Sequence, residues 1–270
     1  MQLNRARNKP IGIFDSGIGG LTVTNAIQKA LPHEHLIYFG DTAHLPYGDK
    51  SADAIRYYAL KISKFLLERN CKMIIIACNS ASSAAYNTLL DFFEGKVLFV
   101  NVVDPLVEAV ASKTYREIGV IATKATIRSN IYREKIKHRL QNVKIHSLAT
   151  PLLVPMIEEG FFKGEISQSV IGTYLGREDF KSIDALLLAC THYPLIKNEI
   201  QAFYNHKVDV LDSTDVVAKY VKEMLEGEDL LSDKREAENE FHVSDYTSSF
   251  EDTAKIFYGK DIELRTTNIW

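Results

Sequence analysis

One stretch of the sequence decides the fold: Met73-Ile74-Ile75-Ile76-Ala77-Cys78, followed by the polar residues Asn79-Ser80-Ala81-Ser82-Ser83. A short apolar run bounded by polar turn residues is typical of a strand that is buried on both faces. The hydroxyl and amide side chains after it are good helix N-caps, so a helix is expected at about residues 82–93. A strand, a polar turn and a helix in this order form the repeating unit of a parallel α/β sheet.

The same alternation continues on both sides of this stretch. Strands are predicted at residues 11–14, 36–39, 73–77 and 97–102, and helices at 21–30 and 51–70. The same alternation of strands and helices is predicted from residue 118 to residue 203. A last strand at 241–244 precedes a helix near 251–258. The acid-rich segment 223–240 is predicted to be a helix end and a surface loop. The fold class is therefore α/β, with mostly parallel sheets flanked by helices.

Two pairs of strands are similar in sequence. Ile11-Gly12-Ile13-Phe14 resembles Ile118-Gly119-Val120-Ile121, and the run that ends in Cys78 resembles Ala185-Leu186-Leu187-Leu188-Ala189-Cys190. Both pairs keep their order and are separated by nearly the same length of chain. This repeat favours two pseudo-symmetric domains.

Length, composition and charge narrow the function classes. The chain has 270 residues, 46% of them hydrophobic and 25% charged, which is ordinary for a globular protein of one large or two small domains. A net charge of −3 argues against a polybasic nucleic-acid binder, and three cysteines cannot form a disulfide framework. No apolar run is long enough to span a membrane, and residues 1–9 lack the apolar core of a signal peptide. We expect a cytoplasmic protein without membrane or nucleic-acid partners.

Cys78 and Cys190 occupy matching places, each after an apolar strand and before a polar turn. Pro194, in Thr191-His192-Tyr193-Pro194, suits the first turn of a helix. Each thiol is thus expected at the carboxyl end of a parallel strand, where ligands bind in such sheets, and at a helix N-terminus, which lowers a thiol pKa. Cys71 follows a predicted helix and is expected to be an ordinary core residue.

The cysteine pair admits several kinds of chemistry. A metal site needs three or four ligands, and a redox pair is often a C-x-x-C motif; neither pattern is present around the two residues. Two thiols on opposite sides of one carbon suit two-base racemisation or epimerisation, in which one takes a proton and the other gives one. A cysteine-nucleophile hydrolase or amidotransferase, which needs one cysteine, stays open, as does a catalytically silent protein that binds a small dicarboxylate.

Neighbouring motifs supply helpers for the thiols. Asp15 ends the first strand and His192 follows Cys190, so each can exchange a proton with a nearby thiol. The turn at 15–20 departs from both phosphate-loop patterns, although its amides can bind a carboxylate. Pro46-Tyr47-Gly48 forms either a turn or a substrate wall. The residues after strand 118–122 either bind a carboxylate or cap a helix: Thr123, Thr126, Arg128 and Ser129. No lysine stands out as a Schiff-base residue for pyridoxal phosphate.

Four motifs together resemble the glutamate racemase family of the cofactor-independent aspartate/glutamate racemase superfamily. They are Ile13-Phe14-Asp15-Ser16-Gly17-Ile18-Gly19-Gly20-Leu21; Tyr38-Phe39-Gly40-Asp41-Thr42 with Pro46-Tyr47-Gly48; Ala77-Cys78-Asn79-Ser80; and Ala189-Cys190-Thr191-His192-Tyr193-Pro194. The resemblance covers about residues 10–212. Many members have Thr at the position of Ser80; Ser keeps the hydroxyl, so binding should survive.

The resemblance implies interconversion of L- and D-glutamate without cofactor or metal, which supplies D-glutamate for peptidoglycan. Cys78 matches the residue that removes the α-proton of D-glutamate, and Cys190 the residue that removes it from L-glutamate. Asp15 and His192 match the residues that assist them, and Glu158 matches an acidic residue near the second cysteine. Implied substrate contacts are Asp15, Ser16, Pro46, Tyr47, Gly48, Asn79, Ser80, Thr123, Thr126, Thr191 and His192.

The resemblance also implies a domain plan. Residues 1–102 and 209–270 are expected to form a discontinuous first domain, and residues 103–208 the second, with the active site in the cleft between them. A homodimer is expected. The nearest alternative is a racemase of a related substrate, such as aspartate or a hydantoin.

Overall fold

The structure, a computed structural model, describes residues 6–270. Residues 1–5, which belong to the expected first domain and to the segment 1–9 that lacks a signal-peptide core, lie outside the described residues. The strands are β1 Ile11–Asp15, β2 Leu36–Gly40, β3 Met73–Ile76, β4 Leu98–Asn101, β5 Glu117–Ala122, β6 Lys144–Ala149, β7 Ala185–Ala189, β8 Asp209–Asp212, β9 Glu240–Val243 and β10 Leu264–Thr266.

Helices follow most of the strands. They are α1 Leu21–Ala30, α2 Ala52–Glu68, α3 Asn79–Phe92, α4 Val103–Ala111, α5 Lys124–Ser129, α6 Ile131–Arg139, α7 Leu153–Glu158, α8 Glu165–Leu175, α9 Lys197–Phe203, α10 Thr214–Gly227 and α11 Ser248–Tyr258. Short 3₁₀ helices occur at Thr42–His44, Tyr47–Asp49, Glu178–Phe180 and Tyr193–Ile196. In the described part of the chain, no helix is both long and apolar enough to cross a membrane.

The strands form two parallel sheets, which define two lobes. The first lobe contains a six-stranded sheet in the order β10-β9-β2-β1-β3-β4, and the second contains a four-stranded sheet in the order β6-β5-β7-β8. The central strands are apolar on both faces: every residue of β3 and of β7 is buried. The predicted α/β class is therefore confirmed, because only strands covered by helices on both faces can be apolar throughout.

The sequence repeat corresponds to equivalent positions in the two sheets. β1 lies between β2 and β3, and β5 lies in the same way between β6 and β7. The strand that ends before Cys78 and the strand that ends before Cys190 are both third in this shared order. The repeated sequences therefore form matching halves of the molecule.

Several predicted boundaries differ from the structure. α3 begins at Asn79 rather than near residue 82, so Cys78 is itself the N-cap. The strand at 240–243 is followed by another, β10. Residues 209–212 were expected in the first domain, but they form β8 and pair with β7 in the second sheet. That boundary was placed too early because β8 is short and partly polar, which hides its strand character. The remaining domain bounds stay a prediction.

A buried ion pair between Lys72 and Glu34 holds the loop that contains Ser232 against the first lobe. Lys72 Nζ lies 2.6 Å from Glu34 Oε2, and the two side chains are 2% and 1% exposed. Ser232 donates two hydrogen bonds to Glu34, from its backbone N at 2.9 Å and from its Oγ at 3.0 Å. This pair connects the segment after α10 to the residues that precede β2 and β3.

We predict that Lys72→Met lowers the free energy of unfolding by about 3–5 kcal/mol, because the variant leaves the Glu34 carboxylate buried without its cation. Urea unfolding measures the loss. Lys219→Met is the control, since the Lys219–Glu223 pair is 77% and 59% exposed and should contribute less than about 1 kcal/mol. Equal effects of the two substitutions would contradict this prediction.

Candidate active site

The carboxyl ends of four strands meet at one cavity. β1 pairs with β3 in the first lobe and β5 with β7 in the second, so the residues that follow these strands lie side by side. The cavity has a volume of about 220 Å³, below the roughly 300–1,000 Å³ of drug-sized pockets, and so suits a small metabolite. Its lining is Ser16, Leu45, Pro46, Tyr47, Gly48, Asp49, Cys78, Asn79, Ser80, Thr123, Lys124, Thr150, Pro151, Val154, Pro155, Glu158, Cys190, Thr191 and His192.

Cys78 lies at the first-lobe side of the cavity and is only 6% exposed. Its sulfur accepts a hydrogen bond from the Ala81 backbone N at 3.4 Å and donates one to Ser16 Oγ at 3.6 Å. Burial, with the nearby charge of Asp15, raises the thiol pKa to about 12. The expectation that the helix N-terminus lowers this pKa is therefore wrong for Cys78, because desolvation outweighs the helix contribution. The residue holds its proton at neutral pH.

Asp15 lies behind Ser16 rather than in the cavity lining. It is fully buried, and Oδ2 accepts hydrogen bonds from the backbone N–H groups of Gly17 at 3.2 Å and Gly20 at 3.0 Å. Oδ1 has no hydrogen-bond partner in the described part of the chain. Burial raises the Asp15 pKa, and the charge of His192 partly opposes that rise. The sequence expectation of a direct substrate contact at Asp15 has no support in the cavity lining, although its charge acts on Cys78.

Cys190 lies on the other side of the cavity, with its own acid–base partner. His192 Nδ1 is 3.8 Å from Cys190 Sγ, and His192 Nε2 is 2.8 Å from Glu158 Oε1. Burial by itself would lower the His192 pKa, but hydrogen bonds to Cys190 and Glu158 outweigh burial and raise it to about 10. The imidazole therefore carries its proton at neutral pH, between a sulfur and a carboxylate. Cys190 is followed by the 3₁₀ helix at 193–196, not directly by the expected α-helix.

The imidazole of His192 is fixed on two sides. Phe257, from α11, packs its ring edge-on at a centroid distance of 5.0 Å. Gly19 closes the other side: a Cβ there would lie 2.4 Å from His192 Cε1. A residue with a side chain would have to displace the ring, so glycine is required at this position.

Polar groups of the two lobes meet across the cavity. Ser80 Oγ lies 2.9 Å from Thr123 Oγ1 and 3.3 Å from Thr126 Oγ1. Tyr132 donates a hydrogen bond to Asn79 Oδ1 at 2.6 Å, which fixes the amide. Asn79 Nδ2 is buried and has no partner within residues 6–270, so a donor is available to a ligand.

Asp41 organises the loop that forms one wall of the cavity. It is fully buried, accepts a hydrogen bond from Tyr47 at 2.6 Å and from Ser244 Oγ at 2.8 Å, and lies 2.8 Å from His44 Nδ1. His44 in turn stacks on Tyr58 at 4.2 Å. The Pro46-Tyr47-Gly48 segment, for which the sequence predicts either a turn or a substrate wall, lines the cavity.

Most of the residues that the sequence singled out come together here. Asp15 and Thr126 stand directly behind the lining, while Arg128 and Ser129 lie outside it. The sequence does not indicate roles for Asp41, Tyr132 and Phe257; of these, only Asp41 belongs to one of the four motifs that resemble the family. Within the described residues, no group of three or more His, Cys, Asp or Glu side chains is placed to hold a metal ion.

Comparisons with known proteins agree with this geometry. A family model described as Asp/Glu/Hydantoin racemase matches residues 11–221. The chain is 41% identical over 253 residues to a glutamate racemase of Geobacter metallireducens, which covers 93% of each chain. It is 39% identical over 260 residues to a glutamate racemase of Aquifex aeolicus, which covers 96% of this chain and 97% of that one. A crystal structure of glutamate racemase from Francisella tularensis in complex with D-glutamate has a TM-score of 0.91 and 37% identity, covering 97% of this chain and 98% of that one.

We predict that Glu158→Gln lowers the pKa of His192, because one of the two hydrogen-bonded partners that raise it loses its charge. The folded-state pKa of His192 lies above the ordinary value of 6.5, so its protonation stabilises the fold fully below pH 6.5 and stops doing so as the pH rises through about 10. In the variant this stabilisation should be smaller, and its loss should be complete at a lower pH.

The NMR chemical shift of the His192 Cε1 proton, followed against pH, measures the change. Glu159→Gln is the matched control, because Glu159 is the next residue along the chain and is exposed. A His192 titration that is the same in parent and Glu158→Gln protein would show that the 2.8 Å contact does not set its protonation.

Proposed function

Since the chain belongs to the Asp/Glu/hydantoin racemase family, we propose that it interconverts L-glutamate and D-glutamate by two-base proton transfer between Cys78 and Cys190. One observation carries this proposal: two cysteines at equivalent positions of two lobes line one cavity, and each is close to its own acid–base group. A hydrolase or amidotransferase needs only one such thiol, so the duplicated arrangement favours racemisation.

The D-to-L direction starts at Cys78. Its thiol gives its proton to the Asp15 carboxylate, whose pKa is raised by burial and whose Oδ1 has no partner in the described part of the chain. The thiolate then removes the α-proton of D-glutamate. The Cys190 thiol donates its proton to the opposite face of the carbon and yields L-glutamate.

The L-to-D direction starts at Cys190. In this direction Cys190 acts as a thiolate, stabilised by the neighbouring His192 imidazolium, which Glu158 holds in turn. The Cys190 thiolate removes the α-proton of L-glutamate, and Cys78 protonates the other face. Because Cys78 is a thiol at neutral pH, the resting site already has the proton donor that this direction requires.

The cavity can also stabilise the charge that develops on the substrate. Removing a proton beside a carboxylate concentrates negative charge, which fixed dipoles in a dry site stabilise well. The Asn79 Nδ2 donor, the backbone N–H groups of Asn79 and Ser80 at the start of α3, and the hydroxyls of Ser80 and Thr123 can take this role. We propose as further substrate-binding residues those contacts implied by the resemblance that line the cavity: Ser16, Pro46, Tyr47, Gly48, Thr191 and His192.

The proposal extends to the metabolic role, the location and the oligomeric state of the enzyme. The enzyme supplies D-glutamate for peptidoglycan synthesis in the cytoplasm, acts as a homodimer and needs no cofactor. Aspartate or a hydantoin is the alternative substrate, since the matching family model covers these classes too.

Incubation of the purified chain with L-glutamate in D₂O tests the function. We expect deuterium at Cα together with D-glutamate. Cys78→Ala and Cys190→Ala should each lower racemisation by about 10²–10⁴-fold, because each removes an acid–base group. Cys71→Ala is the control, since this buried thiol lies outside the cavity lining.

The outcomes separate the alternatives. Loss of activity in only one of the two cysteine variants would favour a single-thiol reaction. Exchange with aspartate or a hydantoin but not with glutamate would reassign the substrate. Binding of glutamate without any exchange would indicate the silent binding protein.

We predict that Asp41→Asn raises the KM for both enantiomers at least tenfold and changes kcat less. The substitution weakens the charge-assisted hydrogen bonds, of about 1.5–3 kcal/mol each, that hold Tyr47 and its loop in the cavity wall. A loss of 1.4 kcal/mol corresponds to about a tenfold loss of affinity. Steady-state kinetics in both directions measure the effect. Asp91→Asn, which removes an exposed carboxylate on α3, should leave KM unchanged; an equal rise in both variants would contradict a positioning role for Asp41.

A further inference from the structure

A second cavity opens beside the catalytic one. It has a volume of about 610 Å³ and shares Asp49 and Ser80 with the catalytic cavity. We call it the outer cavity. Lys50 and Arg56 line it from the first lobe, and Arg128, on α5, lines it from the second. Neither the fold nor the two-cysteine reaction requires a cationic cavity at this place.

The outer cavity carries more positive than negative charge. Arg56 pairs with Asp53 at 2.6 Å, and the exposed Asp49 pairs with Lys124 at 3.2 Å. Lys50 and Arg128 have no carboxylate oxygen within 4.0 Å in the described part of the chain. Two cations therefore remain uncompensated, on a chain whose net charge is −3. A cleft of one sign focuses the electrostatic field and concentrates ions of the opposite sign.

The Asp49–Lys124 pair stands at the boundary between the two cavities. It joins the 3₁₀ helix at 47–49 to α5, and both residues line the catalytic cavity. The side chains are 60% and 51% exposed, so the pair is weak and solvent-accessible. A carboxylate that arrives in the outer cavity can replace Asp49 as the partner of Lys124 and move inward.

We propose that the outer cavity is a capture site for small carboxylates, which takes up glutamate before it enters the catalytic cavity. The inference rests on the proposed function, because the ligand class is that of the substrate, an amino acid with two carboxylates and a net negative charge. Lys50 and Arg128 bind the arriving carboxylate, and the catalytic cavity holds the substrate during the reaction. Their contribution therefore lies in the rate of association, not in the stability of the final complex.

The test is the double variant Lys50→Ala/Arg128→Ala, compared with the parent in a Cys78→Ala background that blocks racemisation. Relaxation-dispersion NMR of ¹³C-labelled L-glutamate gives the association and dissociation rate constants. At low ionic strength, both rate constants of the double variant should be about tenfold lower than those of the parent, which is the lower end of the effect of electrostatic steering. The dissociation constant should change less than about threefold, and the difference in rates should disappear at high salt.

Lys219→Ala/Lys222→Ala is the matched control, because it removes two positive charges from the exposed face of α10. An unchanged association rate in the Lys50/Arg128 variant would overturn the capture site. A faster dissociation with an unchanged association rate would also overturn it, since the two residues would then contact the finally bound substrate. Failure of the parent to bind glutamate at all would instead overturn the proposed function, and the capture site with it.

Discussion

Parallel pairing of strands that are buried on both faces is the constraint on which the rest of the molecule depends. Because every pair in both sheets is parallel, all carboxyl ends within one sheet lie at the same edge. Both β3 and β7 are buried along their whole length, and burying an unpaired polar side chain is costly. Each strand therefore ends close to the point where its cysteine and polar turn begin. The cavity exists because two such edges face each other.

Burial, rather than helix electrostatics, decides the protonation of the first half of the site. Cys78 is the N-cap of a helix and receives a backbone hydrogen bond, yet its thiol keeps its proton because the surroundings are dry and Asp15 is nearby. On the other side, the two partners of His192 overcome the same burial. The two cysteines thus stand at equivalent places of the two sheets, while their acid–base neighbours, Asp15 and His192, differ in type and in the direction in which burial acts on their pKa.

Side chains far from the cysteines determine how rigid the site is. Asp41 connects the Tyr47 wall to Ser244, which follows β9, and Phe257 of α11 holds the ring of His192. Both supporting segments come from the C-terminal part of the chain, which returns to the first lobe after the second lobe is complete. The positions of the Tyr47 loop and of the His192 imidazole therefore depend on contacts between residues that are far apart in sequence.

The sequence alone determined the α/β class, the repeat and the identity of the paired cysteines, because buried parallel strands and their polar ends leave local patterns of apolar and capping residues. It could not determine that Asp41, Tyr132 and Phe257 support the site, since their partners are distant along the chain and their residue types are common in cores and loops. It also misjudged the Cys78 pKa and the place of β8. Protonation depends on how much water the assembled fold excludes, and the pairing of a short, partly polar strand depends on the neighbour that tertiary structure supplies.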